Sequence, residues 1–134
     1  MLFCAANSAP DRELCELAVL RLGSAAPRPV RALRLPRSLQ PLGLAISRNG
    51  KYLAVAGAGG TAVLSLPALL AGRPHPLVGI LRDREFGAIE VTFSASGKFL
   101  FVSDEAPSVI SVFNLARALR VGFSAPVAVA RSPL

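Results

Sequence analysis

Apolar residues in this chain come in short runs of four to seven, each broken by Gly, Pro, Asn or a charged side chain. The runs are rich in Val, Ile, Leu and Phe, which suits pleated strands better than helices. Strands are predicted over 42–47, 52–56, 61–66 and 76–81, and again over 89–93, 98–103, 109–114 and 126–130. A run such as Leu42-Gly-Leu-Ala-Ile46 offers apolar or small residues to both faces. Such a strand must be covered on both sides, as in stacked sheets.

The pattern repeats. "SRNGKYLAVAG" at 47–57 and "SASGKFLFVSD" at 94–104 are near-copies: Gly50 aligns with Gly97, Lys51 with Lys98, Tyr52 with Phe99, Leu53 with Leu100 and Val55 with Val102, at a spacing of 47. Beyond the next loop, 62–66 aligns with 111–115 at a spacing of 49. The stretches "LPALLAG" and "LARALRVG" then read as equivalent connectors ending in Gly. Gly50 and Gly97 fall where a tight hairpin needs positive φ, so they read as turn parts and not as a phosphate cradle. A partial third unit precedes these two, with runs at 2–6 and 17–22 but without its first strand.

Two units of four strands, 47 to 49 residues apart, and a partial unit counted as three-quarters of another, eleven short strands in all, predict an all-β chain of four-stranded antiparallel sheets packed face to face, the arrangement of propeller blades. The divisions fall at 1–37 (a partial blade), 38–84 and 85–134.

"PLGLAISRNGKYLAVAG" with "TAVLSL", and "GAIEVTFSASGKFLFVSD" with "VISVFNL", resemble the repeat of the YVTN propellers, the group of YncE-like and lactonase-like propellers. The resemblance is good over 38–134 and looser over 1–37. Arg48-Asn49 and Ala95-Ser96 replace the group's Pro-Asp turn, and Gly57 and Asp104 stand where it has Asn. A closed propeller of this group is expected to have about seven blades. The resemblance therefore implies an incomplete propeller: a fragment, or a chain that associates with itself through uncovered blade faces.

Composition narrows the picture. The chain has 134 residues, 52% of them hydrophobic and 17% charged, with a mean hydropathy of +0.51, so it has the means to bury a core. No run reaches the roughly 18 apolar residues of a membrane helix. The first ten residues lack a basic region and a long apolar segment, so neither an export signal nor a membrane partner is expected, and the cytoplasm is the expected compartment.

Net charge is +7, almost all from arginine, because Lys51 and Lys98 are the only lysines. The one concentration, Arg28, Arg31, Arg34 and Arg37, is interrupted by Pro29 and Pro36. It lacks the interleaved aromatics of a single-strand binder, so a solvated rim is expected and not a nucleic-acid surface. Cys4 and Cys15 have neither CxxC spacing nor enough histidine beside them for a metal, and read as free, apolar-like cysteines.

Lactonase-like propellers carry polar and acidic groups at one mouth of the central channel, and the resemblance makes Glu90, Asp83, Arg84, Asp104 and His75 the candidates, with Glu85 and Glu105 beside them. Glu90 shares a strand face with Thr92, where it reads either as a channel acid or as a solvated residue near a strand end. No G-x-S-x-G elbow, HExxH, Walker A or EF-hand loop is present, so no catalytic residue, metal or cofactor is assigned. The leading expectation is a non-catalytic module that binds a protein or small molecule through its blade-edge loops. The alternative is a lactonase-type hydrolase, like a 6-phosphogluconolactonase, with an incomplete site.

Overall fold

A computed structural model describes residues 1–7, 15–24, 26–82, 87–104, 108–121 and 125–131. Among them the chain forms three antiparallel sheets. The first holds β1 (Leu2–Asn7), β2 (Cys15–Arg21) and β3 (Arg28–Arg34), in that order. The middle sheet runs β4 (Pro41–Ile46), β5 (Tyr52–Gly57), β6 (Gly60–Ser65) and β7 (Leu77–Leu81). The last runs β8 (Ala88–Phe93), β9 (Phe99–Asp104), β10 (Val109–Asn114) and β11 (Ala128–Arg131). The two near-copies thus lie in different sheets, at matching places.

The repeated phrase is a turn held by its side chains. Ser47 Oγ accepts from the Tyr52 amide at 2.9 Å and donates to Asn49 Oδ1 at 2.8 Å, and Asn49 Oδ1 accepts from the Lys51 amide at 3.1 Å. In the last sheet Ser94 Oγ accepts from the Phe99 amide at 3.1 Å, and Ser96 Oγ takes the place of the asparagine beside the Lys98 amide at 3.4 Å. Gly50 (φ 68°) and Gly97 (φ 71°) close the two turns with amides that donate to the carbonyls of Ser47 and Ser94.

Two connectors differ from the expectation. Residues in "LPALLAG" and "LARALRVG" form α1 (Leu66–Leu70) and α2 (Leu115–Val121). Ser65 Oγ accepts from the Ala68 amide, and Asn114 Oδ1 from the Arg117 amide, so each helix starts on a capping side chain one residue after a strand. Leu66 accordingly belongs to α1 and not to β6. Strand ends elsewhere shift slightly from the predicted ones, β7 beginning after Pro76 and β11 at Ala128. The arginine segment read as a rim is itself strand β3, exposed along nearly its whole length.

Alternation along β5 divides the core. Leu53 and Val55, with Ala62 and Leu64 of β6, face Cys15, Leu17, Val19, Leu35 and Leu39 of the first unit. Ala54, Ala56 and Val63 face Val91, Leu100, Val102 and Phe113 of the last sheet. Each fully buried Leu or Val contributes about 1.5–3 kcal/mol through area removed from water. Cys15 is a buried free thiol whose Sγ donates to the Arg37 carbonyl at 3.4 Å. Strand β4 packs beside β8 on one side and beside β1 on the other. At Gly43 the approach of β8 is so close that a Cβ would run into the Ile89 carbonyl oxygen. No helix among the described residues is long and apolar enough to cross a membrane.

Candidate functional site

Glu90 and Thr92 lie on the face of β8 that points away from the middle sheet, and both are exposed. The register sets Glu90 opposite Ser103 and Thr92 opposite Phe101 on β9, and Ser103 opposite Ile110 on β10. Together these side chains line a shallow groove of about 140 Å³. Its chemistry is one carboxylate flanked by two hydroxyls over an aromatic and an aliphatic floor. A carboxylate there accepts hydrogen bonds from a ligand's hydroxyl or ammonium groups, while the Phe101 ring covers its apolar side. Phe101, Ser103 and Ile110 were not singled out from the sequence; strand alternation across the predicted 98–103 and 109–114 runs carried the necessary signal.

The remaining candidates do not join Glu90. Asp104, at the end of β9, is buried, and its Oδ2 accepts a hydrogen bond from Ser111 Oγ of β10 at 3.3 Å. Its carboxylate therefore ties two strands together and is not open to a channel mouth. His75 is exposed in the connector between α1 and β7. Within the middle sheet that connector lies at the opposite end of the strands from the β5–β6 turn and the link to β8, because Thr61 pairs with Leu81 at one end and Leu64 with Leu77 towards the other. His75 borders a separate cavity of about 440 Å³, with Leu33, Arg34, Leu35 and Pro36 of the first unit. Asp83, Arg84, Glu85 and Glu105 lie outside the described residues. Among the described residues no three His, Cys, Asp or Glu side chains gather as a metal cluster.

The arginines form a cationic border along the first sheet. Arg21 and Arg28 stand directly opposite each other where β2 turns into β3, a like-charge pairing that costs stability. Both line a surface depression of about 430 Å³ with Gly23, Ser24 and Pro29.

No family model and no curated protein matches the chain. Among solved structures it is similar to a Bacteroides fragilis protein provisionally named a 6-phosphogluconolactonase, with a TM-score of 0.61 and 17% sequence identity. The match covers 86% of this chain and 35% of that one, so the chain spans about a third of its length. At that identity the similarity is one of fold: antiparallel sheets arranged as in part of a larger protein.

Proposed function

We propose that the chain forms consecutive blades of a lactonase-like β-propeller, over 38–84 and 85–134 with a partial blade over 1–37, and works as a binding module. The observation that carries the binding reading is the separation of its candidate groups. Glu90 is open to solvent in a groove, Asp104 is engaged by Ser111 below the surface, and His75 sits beyond the far ends of the strands in the neighbouring sheet. Glu90, Thr92 and Ser103 supply hydrogen bonds and Phe101 an apolar platform, a combination suited to a small polyhydroxylated ligand.

A second reading is favoured by the structural similarity to the protein named a 6-phosphogluconolactonase. On it, the fold holds a lactone in the same groove and Glu90 takes the proton of an attacking water. One experiment separates the two. The full chain is titrated with δ-gluconolactone while amide shifts around Glu90 and Phe101 are followed and acid release is monitored. Shifts that saturate without faster hydrolysis, and that Glu90→Gln removes, fit the binding module. Hydrolysis that Glu90→Gln abolishes establishes the lactonase reading, and the absence of both refutes the groove as a site for this ligand class.

A further inference from the structure

We infer that the cavity between the end of β3 and the connector from α1 to β7 binds a small organic anion, its oxyanion head held by Arg34, His75 and Arg31 and its apolar body laid against Leu33 and Leu77. The site is separate from the Glu90 groove and independent of both readings built on it.

The walls of the cavity are fixed. Its volume is about 440 Å³, and residues 33–36 line it from the first unit and residues 74–77 from the middle one. The Leu35 amide donates to the Cys15 carbonyl at 2.7 Å, and the Pro76 carbonyl accepts from the Ser65 amide at 2.8 Å. Leu35 and Pro76 are buried. Pro36, Pro74 and Pro76 add rings that hold φ at about −65°, and two of them bracket His75. A ligand entering such a preformed cavity loses little free energy to ordering the chain. Leu33 is half-buried and Leu77 is 40% exposed, which leaves apolar surface for a ligand's body to cover.

The charge around the cavity has one sign. Arg34 stands on one wall and His75 on the other. Arg31 is set opposite Val19 in the β2–β3 register, and Val19 is buried towards the middle sheet, so Arg31 turns the same way. Its guanidinium lies against the main chain of Gly72, where a Cβ would fall on it, and Gly72 is two residues ahead of Pro74. Among the described residues no acidic side chain lines the cavity. The sequence explains why: between Glu16 and Asp83 there is no Asp or Glu at all, against eight arginines and Lys51. Glu16 faces Arg34 across β2 and β3, and one carboxylate does not balance Arg31, Arg34 and Arg73 together. An oxyanion placed here relieves repulsion that the protein's own side chains leave uncompensated. Guanidinium groups offer paired N–H donors to two of its oxygens, and the imidazole adds another donor. A carboxylate and a phosphate monoester share this chemistry, and the measurement below tells them apart.

Three probes are titrated into the full chain: 2-naphthoate, 2-naphthyl phosphate and the neutral 2-naphthalenemethanol. His75 is the only histidine, so its ring resonances report on this cavity alone. At least one anion is expected to shift them saturably, with a Kd of about 1 mM or below, and the neutral alcohol to bind about tenfold more weakly or less. The tighter anion identifies the head group. Arg34→Gln and Leu77→Ser each weaken binding about fivefold or more, whereas Arg120→Gln on α2 removes the same charge elsewhere and leaves it unchanged. Arg34 and Leu77 are exposed, so both variants are expected to keep the fold, which circular dichroism checks. The comparison of anion with alcohol on the unaltered chain stands whatever the variants do. No saturable shift up to about 10 mM of either anion overturns the inference, as does equal binding of the alcohol. So does binding that both Arg34→Gln and Leu77→Ser leave intact, or that Arg120→Gln weakens as much as Arg34→Gln.

Discussion

Two sheet faces occupy the same place in the repeat and meet different surroundings. On the middle sheet the face towards the last sheet presents Gly43, Ala45, Ala54, Ala56, Thr61 and Val63, and the last four are fully buried. On the last sheet the equivalent positions are Glu90, Thr92, Phe101, Ser103, Ile110 and Val112, none of them buried among the described residues. Small residues allow close approach of a neighbouring sheet, and larger, polar ones do not. The replacement of Gly43 by Glu90 is the sharpest case, because the position that admits no Cβ on one sheet carries a charged side chain on the other. The repeat therefore keeps its turns and strand register while the residues on the two equivalent faces differ in size and polarity.

That contrast can be broken or sharpened by paired substitutions. The largest effect is expected for Gly43→Val, which drives a side chain into the β8 main chain and lowers unfolding free energy by roughly 3 kcal/mol in urea denaturation. Glu90→Val, its equivalent, changes stability by less than about 0.5 kcal/mol. Equal costs would mean that the two faces are not different in kind. Next comes one residue type at two equivalent sites: Val63→Ala costs about 2 kcal/mol through lost burial and a residual cavity, and Val112→Ala less than about 1 kcal/mol. Smallest are the turns, where Ser47→Ala and Ser94→Ala each cost about 1 kcal/mol for the lost amide hydrogen bond. Here the two units should agree, and a large disparity in thermal melting would show that only one turn holds its sheet.

The shared turn explains why the fold was so legible. Ser47, Asn49 and Gly50, and again Ser94, Ser96 and Gly97, write the hydrogen bonds of a hairpin directly into the residue types. Short apolar runs bounded by turn residues likewise marked β5 and β9 as strands. The helices α1 and α2 were missed because five to seven residues are too few for an apolar period to declare itself. Their signal lay in the caps: Ser65 or Asn114 just ahead of Leu, with Pro67 early in α1. Strand β3 hid behind its arginines, which sit on an exposed edge and carry no apolar alternation.

The candidate site was legible only in part. Glu90 and Thr92 could be placed on one face from strand period alone, but their partners come from β9 and β10, a relation that depends on register. Nothing local marks Asp104 as buried, since its cover and its Ser111 partner arrive through the folding of the hairpin. His75 reads the same in any loop, and its distance from the acids is a property of sheet direction.

The glycine at 43 sets the spacing between two sheets. It lets β4 and β8 approach main chain to main chain, with no side chain interposed at that point. A single methyl group there would meet the Ile89 carbonyl oxygen and act as a wedge, forcing one strand off the other.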